Sequence, residues 1–148
     1  MPSGFNYRSG PQTFRDRVTT ASTAIARGDA VYASSGQLLV LATGNKCLGV
    51  AQAAKTSGDT ATTAITVLET HHGRTLFNAW EKRSSGSLAA SDINHLRDVS
   101  GATGAQGFDS SATTNLDIFM QQLLATGAAN TGRALISFAD PASIHGQN

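Results

Sequence analysis

Residues 28–53, GDAVYASSGQLLVLATGNKCLGVAQA, set three short apolar runs between clusters of turn residues. The runs are Asp29–Ala33, Gln37–Ala42 and Cys47–Ala53. Ser34-Ser35-Gly36 and Thr43-Gly44-Asn45-Lys46 separate them. Runs this short, rich in Val, Leu and Tyr and bounded by Gly, Ser and Asn, predict strands joined by tight turns. Leu38 to Ala42 is apolar at successive positions, so both faces of that strand are expected to be covered, as in a barrel or sandwich core. A lone hairpin does not hold together in water, so later strands must complete the sheet.

The rest of the chain supplies them. Thr62–Leu68 is β-branched and alternates Thr63, Ile65 and Val67 against Ala64, Thr66 and Leu68. Thr75–Trp80 and Ala134–Ala139 read as further strands. Arg97-Asp98-Val99 is a short strand at most. Leu116–Met120 reads either as a strand or as the start of a helix running through Leu124. Glu81–Ser87 is a charged exposed loop, and Leu88–Leu96 a helical turn or bend. Gly101, Gly104 and Gly107 read as a surface loop, since they match neither nucleotide-binding spacing. The fold class is therefore all-β: a small barrel or sandwich, jelly-roll-like, over residues 24–70. A second β-rich part or lobe follows over 71–140, and a polar tail over 141–148.

Residues 1–23 read differently. Pro2, Gly4, Gly10 and Pro11 interrupt any regular element, while aromatic and basic residues are spaced through the segment. The expectation is an extended N-terminal arm lying on a neighbouring subunit or partner. Phe5, Tyr7 and Phe14 would fill pockets, and Arg8, Arg15 and Arg17 would meet acidic surface. Thr19–Ala26 is a possible strand leading into the turn at Gly28.

Only 14% of the 148 residues are charged, against about a quarter in a typical soluble domain, and Ala, Thr, Ser and Gly make up the difference. A surface of that kind suggests coverage by other subunits. The formal net charge of +1 gives no global field for nucleic acid or an anionic membrane. No apolar run approaches the roughly 18 residues of a membrane span, and MPSGFNYRSGPQ has no apolar core of a secretory signal. Cys47 is the single cysteine and reads as a small buried hydrophobe. His71 and His72, adjacent on an extended segment, point to opposite sides and lack an acidic partner nearby. No metal or cofactor is expected, and no nucleophile motif or carboxylate pair proposes an enzyme.

The pattern Gly28-Asp29-Ala30-Val31-Tyr32, Gly36-Gln37-Leu38, Leu48-Gly49-Val50-Ala51 and Ile65-Thr66-Val67-Leu68 resembles that of tailed-bacteriophage capsid decoration, or cement, proteins. The stretch from Gly86 to Phe138, with Ala89–Ile93, Asp98-Val99 and Ser110–Asn115, is similar to the continuation in some phage head proteins. The resemblance implies a structural virion protein, made in the host cytoplasm. It would sit on the outer surface of an icosahedral head, commonly as a homotrimer, and hold adjacent major capsid proteins against internal DNA pressure. Neither nucleic acid nor membrane is an implied partner.

Two rivals stand beside this reading. One is a carbohydrate- or receptor-binding β module on a virion surface, with Trp80, Phe77 and Tyr32 as a stacking platform. The other is a small trimeric barrel enzyme in which Asp29, Asp59, His71 or His72 converge at a subunit boundary.

Overall fold

The computed structural model describes residues 3–41, 45–59, 63–70, 74–82, 88–113, 117–126 and 132–139. It is all-β. The strands are β1 (Asn6–Ser9), β2 (Thr13–Val18), β3 (Ala30–Ser34), β4 (Gln37–Val40), β5 (Gly49–Ala51) and β6 (Ala64–Glu69). They continue with β7 (Leu76–Trp80), β8 (Leu96–Ser100), β9 (Gly107–Asp109), β10 (Ile118–Ala125) and β11 (Arg133–Phe138). Two antiparallel sheets form, in the orders β2-β6-β5-β3-β4 and β1-β7-β11-β10-β8-β9, and pack as a β-sandwich.

In each sheet, five consecutive strands, β2–β6 and β7–β11, curl back on themselves. Thr19 bridges Leu38 in the first and Glu81 bridges Phe108 in the second, both in parallel. With these bridges, strands β2–β6 and β7–β11 trace the same topology. The fifth strand lies between the first and the fourth, the fourth pairs with the second, the second with the third, and the third returns to the first.

The register repeats as well. Arg15 and Arg17 oppose Val67 and Ile65, as Phe77 and Ala79 oppose Ile136 and Ala134. Gly49 and Ala51 oppose Glu69 and Val67, as Ile118 and Met120 oppose Phe138 and Ile136. Val31 pairs with Gly49, and Arg97 with Ile118. Ala33 pairs with Leu38, and Val99 with Phe108. Backbone hydrogen bonds follow the same correspondence: Thr19 N–H to Thr63 O (2.7 Å) and Glu81 N–H to Gly132 O (2.8 Å), Thr70 N–H to Leu48 O (3.0 Å) and Ala139 N–H to Asp117 O (2.8 Å). Gly28 and Asn94 donate to Ala51 and Met120, both at 2.8 Å, from backbones with positive φ of 92° and 66°. Gly and Asn are the residue types that enter this region most readily. The chain is thus two equivalent five-strand units in tandem.

Their interiors differ. The first unit encloses Ile25, Val31, Leu38, Ala51, Ile65 and Val67. The second contributes Phe77, Ala79, Phe108, Ile118, Met120, Ala134, Ile136 and Phe138 to a larger core, which the reverse face of the first unit covers with Ala30, Val50 and Leu68.

Several expectations are corrected. The segment 1–23 is not a free arm, because its strands have ladders to join. β1 pairs with β7 and β2 with β6. Phe5 is 2% exposed and meets Phe138 edge-on with ring centroids 4.9 Å apart. Gly10, at φ 99°, lets the chain pass between the sheets where a Cβ would collide with the Arg74 carbonyl. Thr19–Ala26 forms bridges only at Thr19 and Ile25. The run from Cys47 is a strand only over Gly49–Ala51. β4 is an end strand, with Leu38 buried but Leu39 and Val40 half-buried. Arg97–Val99 extends to a five-residue strand, and Gly107 belongs to β9 rather than to a loop. β10 continues as strand through Ala125, since β11 offers it a partner along its length. The bend near residue 90 is a 3-10 turn, Ala90–Asp92. His71, His72 and the tail 141–148 lie outside the described residues.

Phe5→Ala should cost about 3–5 kcal/mol of stability, the range for deleting a fully buried aromatic ring. Chemical denaturation of the variant measures it. A loss below about 1 kcal/mol would show that the N-terminal segment is not part of the core.

Candidate interaction surface

Among the described residues, β1 and β2 carry the exposed aromatic side chains, Tyr7 and Phe14, together with exposed cations. On β2, alternation puts Phe14, Asp16 and Val18 on one face and Thr13, Arg15 and Arg17 on the other. Phe14 lies beside buried Leu68 but is itself 53% exposed, and Val18 is 44% exposed. The Thr66 hydroxyl donates to Asp16 Oδ1 at 2.8 Å. On the opposite face, Glu69 gathers both guanidinium groups: Arg17 bonds its Oε1, and Arg15 Nε lies 3.3 Å from its Oε2. Glu69 is the carboxylate that the N-terminal cations require, and β2–β6 pairing brings it to them. On β1, Tyr7 is 39% exposed, donates its hydroxyl to Gly10 O at 2.8 Å, and has exposed Arg8 beside it.

Five of the six residues expected to make contacts therefore lie at or near the surface of these two strands: Tyr7, Arg8, Phe14, Arg15 and Arg17. Phe5 does not, because it is in the core. Val18, Asp16 and Glu69 belong to the same surface and were not singled out. The alternation in Thr13-Phe14-Arg15-Asp16-Arg17-Val18 is the signal for Asp16 and Val18, while Glu69 comes from a distant strand and carries no such signal.

The aromatic platform is not assembled. Phe77 is fully buried, 5.4 Å from Phe138, and Tyr32 packs against the main core. The Arg133 guanidinium sits over Trp80, 5.1 Å from its ring centre. Asp29 is buried, accepting from the Ala26 and Gly104 amides at 2.9 and 3.0 Å, and closes a loop. Burial raises its pKa, and those two amides oppose the rise. Cys47 is buried with its thiol pKa raised by desolvation.

Clefts open on the surface among the described residues. One, of about 590 Å³, runs between Asn6 and Tyr7 on one side and Arg27, Gly28 and Gln52 on the other. The second, of about 430 Å³, is lined by Lys46, Cys47, Glu69 and Thr70 among others. Among the described residues, no group of three or more His, Cys, Asp or Glu could hold a metal ion, and no helix is long and apolar enough to cross a membrane.

Asp98, in the middle of β8, and Asp117, just before β10, are both buried. Asp117 accepts the Val99 N–H at 3.0 Å. Desolvation, with a smaller push from the Asp98 charge, raises its pKa to about 6. No family model, curated protein or solved structure matches the chain in comparison.

Asp117 binds its proton more tightly folded than unfolded. Its contribution to stability is therefore fully present below the unfolded value near 4 and is lost as pH rises through about 6. Asp117→Asn keeps an acceptor for Val99 and removes the buried charge. It should flatten the stability profile between those values and raise stability at neutral pH by roughly 1–3 kcal/mol. Urea unfolding across pH measures both effects, and an unchanged slope would contradict the assignment.

Proposed function

We propose that the protein is a structural virion component that binds the outer surface of an icosahedral phage head and cements adjacent major capsid proteins. The observation that carries this reading is that β1 and β2 leave Tyr7, Phe14 and Val18 exposed and also carry Arg8, Arg15 and Arg17. Aromatic and arginine side chains are the types that anchor protein interfaces. Here they stand on strands tied into both sheets, so they are held in place before contact and lose little freedom on binding. The resemblance to cement proteins supplies the partner, the major capsid protein, and the homotrimeric state. Cementing needs area and geometry, and many modest contacts repeated over a closed lattice combine through avidity.

Removing residues 1–20 would delete a strand from each sheet, so point substitutions are the appropriate test. Tyr7→Ser and Arg8→Glu on the surface of β1, together with Phe14→Ser, should lower co-sedimentation with expanded, undecorated heads by at least about tenfold while leaving thermal unfolding within a few degrees of wild type. A mass in solution of three times the 15.3 kDa protomer fits the same reading. Absence of head binding by the wild-type protein, or binding untouched by the triple variant, would overturn it.

A further inference from the structure

The tandem repeat exposes an asymmetry at one sheet edge. In the second unit, β7 is paired on one side by β11, and on the other by β1, with Tyr7 opposite Phe77 and Asn6 opposite Asn78. By the register of the two units, Phe77 corresponds to Arg15 and Asn78 to Asp16. β2 is paired by β6 on one side. On the other, among the described residues, no strand pairs with residues 14–17, and β4 closes on the end of β2, where Leu38 bridges Thr19 and accepts from Thr20 N–H.

The direction of the free backbone groups follows from the ladder. Thr19 N–H bonds Thr63 O across to β6's side, and Thr20 N–H bonds Leu38 O on the other side. Odd residues of β2 thus point their amides at β6, and Phe14, Asp16 and Val18 point theirs outward.

We infer that this edge of β2 takes an added strand from a partner protein, antiparallel to it, in the place that the chain's own β1 fills on β7. The side chains specify the occupant. Phe14 and Val18 lie on one face, and Arg15 and Arg17 on the other. The matching segment therefore alternates apolar residues opposite Phe14 and Val18 with acidic residues opposite the arginines. A second copy of β2 does not fit. Antiparallel self-pairing that keeps matching faces and overlaps most of the strand centres on Arg15 or Asp16, and each choice sets like charges directly opposite. The inference rests on the capsid reading only for which protein supplies the strand.

The test uses the full chain and a capped peptide with the core Val-Glu-Thr-Glu-Val, compared with its Val-Lys-Thr-Lys-Val counterpart. Peptide binding is read by fluorescence anisotropy, and the backbone by amide hydrogen exchange. The acidic peptide should bind, the lysine peptide at least about tenfold more weakly, and the Phe14, Asp16 and Val18 amides should gain protection. Asp16→Pro removes one outward N–H without touching the β6 ladder and should weaken binding at least about tenfold. Asp16→Ala keeps that N–H and should bind no worse than wild type. Should the proline variant not fold, Arg15→Glu on the exposed side should reverse the preference between the peptides. Equal binding of the two peptides, protection confined to β1, or full binding by a folded Asp16→Pro would overturn the proposal. Loss of peptide binding with head binding retained would uphold the strand edge and place the head contact elsewhere. No head binding by the wild-type protein, with peptide binding intact, would sink the capsid reading alone.

Discussion

The edge-on contact of Phe5 with Phe138, backed by Phe77, binds the N-terminal segment to the second unit. From Phe5 the chain runs through β1 on the second unit, turns at Gly10, and continues as β2 on the first. One short segment therefore belongs to both sheets. Removing the ring from this core would open a void beneath the reverse face of the first unit, where Ala30, Val50 and Leu68 close over the second unit's interior. The positions of Tyr7, Phe14 and Arg15 at the surface depend on that buried anchor.

Repetition of topology with divergence of content explains much of the remainder. The positions that are Phe77, Ala79 and Phe138 in the second unit are Arg15, Arg17 and Glu69 in the first, so an apolar layer in one is an ion-paired layer in the other. Arg15 is 62% exposed at its side chain, so the first unit ends in a charged mouth, where surface pairing contributes little to stability. Among the described residues, the edge of β2 is charged and unpaired over residues 14–17, while β1 covers the equivalent edge of β7.

Much of the all-β architecture was legible in the sequence, for physical reasons that particular residues illustrate. Ala64–Glu69 alternates β-branched and apolar residues, and Gly36 marks a tight hairpin, so local chemistry alone predicts strands there. The N-terminal strands were not legible because Gly10 and Pro11 look like breakers, whereas they sit at the crossing between two sheets. β9 was hidden because Gly107 packs against the Trp80 carbonyl, where no side chain would fit, and glycine in a sequence reads as loop. The repeat itself left almost no trace in residue identity: Val31 answers to Arg97, and Leu38 to Phe108. What recurs is backbone geometry, such as the positive φ shared by Gly28 and Asn94. The exposed surface was half legible, with its aromatics and arginines visible and Glu69, from a distant strand, not.

The N-terminal segment, paired to both sheets, joins two equivalent units into one fold. Native-state hydrogen exchange of the β6 and β11 amides in increasing denaturant tests this most directly. Both sets should converge on one opening free energy, with the Asn6 amide, which faces β7, exchanging alongside them. If β6 stays protected after β11 has exchanged, or Asn6 opens at no cost to either, the units are independent and the N-terminal segment is a loose arm after all.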